Sequence, residues 1–213
     1  MTTPDIAGIL ADGPVIPVIV IEDVAQAVPL AKALVAGGVR VLEVTLRTDA
    51  GLESIRRMIA EVPDAIVGAG TVLTAAQLDE VARLGAAFAV SPGATPQLLD
   101  AAAGSPMPLL PGTATASEVM AVLERGYGHM KLFPAEAAGG VELLSSLASP
   151  LPAARFCPTG GIDPEKAKRY LALPNVGCVG GSWLVPRESL RQGDWARITE
   201  LARGTGALRR KAA

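Results

Sequence analysis

The stretch His129-Met130-Lys131-Leu132-Phe133-Pro134-Ala135-Glu136 reads as a short strand that runs into a stop at Pro134. Side chains alternate across an extended segment, so His129, Lys131 and Phe133 share one face, and Met130 and Leu132 share the other. A lysine therefore points where a core belongs. Burying an ammonium without a partner is costly, and the usual escape is loss of the proton, which leaves an amine able to attack a carbonyl. The other reading is a strand-end lysine whose stem is covered while its head reaches solvent or pairs with Glu136. The surrounding chain has to decide between them.

Outward from this strand, apolar β-rich segments recur about every twenty-odd residues, each followed by an Ala/Leu-rich stretch of helical period. The predicted strands are Val15 to Ile21, Val39 to Leu46, Ile66 to Ala69, Phe88 to Ser91, Leu109 to Pro111, Met130 to Phe133, Arg155 to Pro158, and Val176 to Gly180. Glu22-Asp23, Asp49, Thr74, Thr95-Pro96, Ser117, Asp163-Pro164 and Asp194 supply helix starts. Gly37-Gly38, Gly85 and Gly126 close helices, and Pro29 inside the first helical pattern implies a later start or a kink. A short helix is predicted from Pro4 to Ala11, placed to cap one end of the fold. This alternation predicts parallel strands in a single α/β domain over residues 1–213, a (β/α)8 TIM barrel. An open doubly wound sheet is disfavoured, because Val20-Ile21-Glu22-Asp23 stands where a glycine-rich dinucleotide turn would follow the first strand.

Composition narrows the function. With 50% hydrophobic and 19% charged residues the 213-residue chain can bury one large core. A net charge of −2 with interspersed signs, and only 3% aromatic residues, argue against nucleic acid and anionic membranes as partners and for a small molecule. The first residues, Met1-Thr2-Thr3-Pro4-Asp5, lack the pattern of a secretory signal, so a cytoplasmic protein is expected. Cys157 and Cys178 lie in apolar strand segments and read as buried free thiols. The single histidine is remote from the cysteines and from paired carboxylates, so no metal or other cofactor is expected. The tail Arg209-Arg210-Lys211 reads as a solvated terminus.

In a barrel the chemistry gathers where strands run into the following loops. The second strand puts Glu43, Thr45 and Arg47 on one face, a polar set that either serves the barrel mouth or is a plain Glu43–Arg47 ion pair. Gly68-Ala69-Gly70-Thr71 offers bare backbone and a hydroxyl to a small anion, or is an ordinary glycine turn before Thr74. Ser91-Pro92-Gly93 and Pro111-Gly112-Thr113 read as rigid turns lining a pocket. Pro158-Thr159-Gly160-Gly161-Ile162-Asp163-Pro164 and Val179-Gly180-Gly181-Ser182-Trp183 place a glycine pair after strands seven and eight, where barrels bind phosphate on free amides. Amine, carboxylate, guanidinium and phosphate cradle together suit a phosphorylated keto acid.

Across nearly its whole length the sequence resembles the class I 2-keto-3-deoxy-6-phosphogluconate (KDPG) / 4-hydroxy-2-oxoglutarate (KHG) aldolases. The matching stretches include Gly37 to Thr48, Val67 to Val72, Ser91-Pro92-Gly93, Lys131 to Glu136, Cys157 to Ile162 and Gly180 to Leu184. The resemblance implies a homotrimeric lyase in which Lys131 forms an imine with the substrate and Glu43 is the general acid/base. By the same resemblance Arg47 and Thr71 hold the carboxylate, and Thr159 controls stereochemistry at C4. Gly160, Gly161, Gly181 and Ser182 bind phosphate, with Pro92 and Phe133 in the pocket. Leu132 departs from the Phe of several relatives, and His129 has no counterpart in the motif. His129 is expected deeper in the strand and outside the chemistry. A sugar-phosphate isomerase or epimerase using Glu43 as base, and a non-catalytic sensor of a phosphorylated ligand, are the alternatives.

Overall fold

A computed structural model describes residues 5–209. Pro4, at the predicted start of the first helix, and Arg210-Lys211 of the tail lie outside them. Among the described residues nine strands are formed: β1 (Val15–Ile19), β2 (Val41–Thr45), β3 (Ile66–Gly70), β4 (Ala89–Val90), β5 (Leu109–Leu110), β6 (Gly112–Thr113), β7 (His129–Leu132), β8 (Arg155–Pro158) and β9 (Val179–Gly181). Ten α-helices accompany them: α1 (Ile6–Ala11), α2 (Ala27–Ala36), α3 (Gly51–Glu61), α4 (Ala75–Arg83), α5 (Pro96–Ala103), α6 (Ala116–Glu124), α7 (Gly140–Ala148), α8 (Pro164–Leu171), α9 (Arg187–Gln192) and α10 (Trp195–Gly204).

Every strand pair is parallel. The strands form a six-stranded sheet in the order β5-β4-β3-β2-β1-β9 and a three-stranded sheet in the order β6-β7-β8. The result is an α/β fold on a curled parallel sheet, with the eight predicted strands appearing as nine in two sheets. The fifth predicted strand, Leu109 to Pro111, stops short at Pro111, which has no N–H to give to a ladder, and Gly112–Thr113, expected as part of a rigid turn, form β6 just beyond it. β5 pairs with β4 and β6 with β7, while the Pro111 carbonyl accepts from Lys131 N at 2.8 Å. Isolated parallel bridges join Phe156 to Val176 and Thr159 to Gly180.

Several helix starts fall where the sequence predicts them. Thr74, Thr95, Asp163 and Asp194 each accept from an amide of the first turn. Two differ. Thr115, not Ser117, caps α6, because Glu118 reaches back to complete a capping box. Asp49 caps nothing: α3 begins after Ala50 without a side-chain cap. Asp23 instead caps a single 3-10 turn, Val24–Gln26, which delays α2 until Ala27. Pro29 then lies in the first helical turn, where its missing N–H has no partner to lose.

All five residues of β1 and of β2 are buried, as expected for strands covered on both faces. Leu42, Val44, Met130 and Leu132 pack with helix residues such as Leu30, Ile55 and Leu78 in one apolar cluster. A second cluster gathers Ile16, Val41, Phe88, Val90, Leu110, Cys157 and Cys178 with Ile9 and Leu10 of α1, so the first helix does plug one end. Both cysteines are free and buried. Hydrogen bonding to Cys157 and burial push the Cys178 thiol well above its ordinary range.

Candidate active site

The alternation of β2 and β7 turns Glu43 and Lys131 toward each other. Lys131 Nζ lies 3.2 Å from Glu43 Oε1, and each residue is only 3% exposed. The amine is thus truly buried, and its partner is Glu43 rather than Glu136. Glu136 faces Tyr170 and Lys166 instead. The Lys131 nitrogen also sits 5.3 Å from the Phe133 ring centroid, over its face.

Room for the Glu43 carboxylate comes from β3. A Cβ at Gly70 would collide with Glu43 Oε1. Besides the two readings its sequence allows, bare backbone for an anion or an ordinary turn, Gly70 leaves the space that houses the Glu43 carboxylate. A buried ion pair of this kind is weak evidence for stability, since desolvation offsets the attraction, whereas removing one partner destabilises by about 3–5 kcal/mol.

Arg47 projects past the end of β2 into solvent, and its Nε donates to Thr71 Oγ1 at 2.9 Å. The simple Glu43–Arg47 ion pair is therefore not formed. Thr71 has φ +59°, the one left-handed non-glycine among the described residues. For a β-branched residue this conformation is strained by about 1–3 kcal/mol, and such strain gathers at functional sites. Beside it, Ser91 Oγ accepts from Gly112 N at 3.4 Å, and Gly112 is bare because a Cβ would strike the Pro92 carbonyl.

Thr159 is buried, with its hydroxyl 3.4 Å from the Cys157 carbonyl. A Cβ at Gly180 would overlap that hydroxyl, so the ends of β8 and β9 are fitted to each other. Gly160 and Gly161 both adopt positive φ, +108° and +76°. The amides of Gly160, Gly161, Ile162 and Ser182 donate to no acceptor among the described residues. Consecutive free amides at a helix start form an anion-binding concavity. A Cβ at Gly160 would lie 3.3 Å from Pro134 Cα and 3.5 Å from Phe133 Cδ2, so the loop backbone at Gly160 packs directly on the segment that follows Lys131.

The predicted residues thus lie within or just after β2, β3, β4, β7, β8 and β9, with Glu43, Lys131 and Gly181 inside their strands and the others past the carboxyl ends. Sequence reasoning missed Tyr170 and Lys166 altogether, and at Gly70 and Gly112 it missed the close packing that requires glycine. For Gly70 a signal existed: Gly68 and Gly70 share the alternation of Glu43 on the neighbouring strand, with Glu43 opposite Gly68 and Thr45 opposite Gly70. His129 begins β7, half-buried and away from the mouth, as expected.

A buried amine against a buried carboxylate, with an anion cradle alongside, defines an enzyme site suited to carbon–carbon bond cleavage through an imine. Residues 6–201 match the model of the KDPG and KHG aldolase family, and the chain belongs to that family, whose members are carbon–carbon lyases. It is 57% identical over 195 residues to the KHG/KDPG aldolase of Escherichia coli strain K12, covering 92% of each chain. A KDPG aldolase structure from Legionella pneumophila, with pyruvate captured as a covalent carbinolamine, superposes with a TM-score of 0.92 at 49% identity, covering 93% of this chain and 97% of that one. The KDPG aldolase of Zymomonas mobilis with 3-phosphoglycerate gives 0.91 at 50% identity and 96% of both chains. The isomerase and sensor readings gain no support from these relatives.

Proposed function

We propose that the chain cleaves KDPG to pyruvate and glyceraldehyde 3-phosphate through an imine on Lys131, and KHG to pyruvate and glyoxylate by the same route. The observation that carries this is the buried contact of Lys131 Nζ with Glu43 Oε1 at 3.2 Å. Glu43 takes a proton from Lys131 as the amine attacks the C2 ketone and returns it to the departing C2 hydroxyl, so that loss of water leaves a protonated imine as an electron sink and Glu43 again as a carboxylate. Glu43, directly or through water, then accepts the C4 hydroxyl proton. The C3–C4 bond breaks, the aldehyde departs, and the enamine of pyruvate is reprotonated at C3 and hydrolysed.

Arg47 and Thr71 hold the carboxylate, with Arg47 supplying a fork of donors that matches it. Thr159 sets the stereochemistry at C4, Pro92 and Phe133 wall the pocket, and Gly160, Gly161, Gly181 and Ser182 receive the phosphate. The fold reading goes further too: β5 and β6 are one strand divided at Pro111, and the bridges at Val176 and Gly180 bring β8 beside β9. The two sheets are then arcs of one (β/α)8 barrel, a single domain over residues 1–213. The protein works as a cytoplasmic homotrimer in the Entner-Doudoroff breakdown of sugar acids, and light scattering at three chain masses tests its assembly.

Borohydride reduction in the presence of pyruvate tests the chemistry. A pyruvate-derived mass on the peptide bearing Lys131 is expected, and an unmodified lysine overturns the reading. A coupled assay of pyruvate release from both substrates measures the specificity.

A further inference from the structure

Glu136, Lys166 and Tyr170 form a cluster outside the residues given chemical roles above. Tyr170 is fully buried, and its hydroxyl donates to Glu136 Oε1. Lys166 Nζ lies 2.9 Å from Glu136 Oε2 and donates to the Gly161 carbonyl, also at 2.9 Å. Hydrogen bonding from the Tyr170 hydroxyl and from Lys166 holds the Glu136 carboxyl below its usual range.

Three successive peptide planes of the β8–α8 loop are tied down by this side of the molecule. The Thr159 carbonyl accepts from Ala135 N at 2.8 Å, the Gly160 carbonyl from Glu136 N at 3.2 Å, and the Gly161 carbonyl from Lys166 Nζ. The N–H of a trans peptide points opposite to its carbonyl. Anchoring these three carbonyls therefore turns the amides of Gly160, Gly161 and Ile162 the other way, and those amides have no acceptor among the described residues. A Cβ at Gly161 would come within 2.9 Å of Glu136 Cγ, so the loop lies directly on the glutamate stem.

The geometry points to Glu136, Tyr170 and Lys166 as positioning residues that fix the loop amides for the phosphate, and so set the preference for phosphorylated over unphosphorylated keto acids. This rests on the reading that Gly160 and Gly161 receive phosphate. Tyr170 orients one carboxylate oxygen from the buried side, Lys166 spans the other oxygen and the loop carbonyl, and the loop cannot rotate without breaking both contacts.

The experiment measures kcat and KM for KDPG and for KHG, which carries no phosphate, together with inhibition by inorganic phosphate, in the wild type, Tyr170→Phe, Glu136→Ala and Glu136→Gln. Loss of a hydrogen bond to a charged group predicts a KM for KDPG raised about tenfold or more, and phosphate inhibition weakened to match, with kcat kept. Kinetics on KHG should not move. Glu136→Gln, which still accepts from Tyr170, should recover part of the loss seen in Glu136→Ala. Equal losses on both substrates, or unchanged phosphate inhibition in Tyr170→Phe and Glu136→Ala, overturn the assignment. A wild type that inorganic phosphate does not inhibit overturns the phosphate reading itself, and the assignment with it.

Discussion

At the α1 end of the strands the interior is filled by Ile9 and Leu10 against Ile16, Val41, Phe88, Val90, Leu110, Cys157 and Cys178. At the other end the same interior holds Lys131 on Glu43, with Thr45 hydrogen-bonded to the Ile19 carbonyl at 2.9 Å. The boundary is sharp. Val41 and Glu43 are two residues apart on one face of one strand, and one belongs to the apolar plug and the other to the ion pair. Both ends are equally shut off from water, since Val41 and Glu43 are each 3% exposed. What differs is the work asked of the burial: apolar contact stabilises in proportion to area removed from water, whereas a buried ion pair returns little net stability.

The sharpest way to break that contrast is to give the mouth the chemistry of the plug. Lys131→Met should abolish both turnover and borohydride trapping, and should destabilise by about 3–5 kcal/mol because Glu43 is left charged and unpaired. The double variant Lys131→Met with Glu43→Leu should be equally inactive yet as stable as the wild type or more so, by up to about 4 kcal/mol. Denaturant unfolding of the two side by side checks this. A double variant as unstable as the single one would show that the pair holds the fold together. Glu43→Gln should retain trapping while slowing turnover by about 10²–10⁴-fold, the usual share of general acid/base catalysis.

How much of this was legible follows from the length scale of each signal. The faces of β2 and β7 could be read because strand alternation is local: it turned Glu43 and Lys131 inward and Met130 and Leu132 out. Their pairing could not, because 88 residues separate them and Glu136 and Arg47 were nearer candidates. The Thr115 cap was passed over for Ser117 although Glu118 carried its signature three residues on. The end of a strand at Pro111 could be read from its missing N–H, but that Gly112 and Thr113, which read as a turn, pair with β7 depends on tertiary packing. Nothing local singles out Tyr170, because only the fold sets its hydroxyl against Glu136, 34 residues away.

The plug can be tested in the opposite sense. Phe88 is fully buried, and its ring fills the space that a side chain at Gly68 would need. Phe88→Ala should cost about 3–5 kcal/mol, lowering Tm by about 10 °C, while pyruvate trapping on Lys131 at low temperature stays intact. A loss of trapping in folded Phe88→Ala would mean that the two ends are coupled and that the plug also sets the geometry of the mouth.

The smallest effect concerns His129, on the same face as Lys131 but at the beginning of β7. Burial is the main cause of its lowered pKa; Arg155 adds to the lowering and Asp5 opposes it. The folded chain thus favours the neutral imidazole, whereas the unfolded chain takes up a proton near the ordinary value of 6.5. The contribution is complete above that pH and is lost as the pH falls through the lower folded value. His129→Gln should therefore flatten the decline in stability between about pH 7 and pH 5 without moving the pH profile of kcat. A kcat profile that did shift would tie the histidine to the chemistry two residues along the strand, and would erase the division between the two ends at the one residue nearest to crossing it.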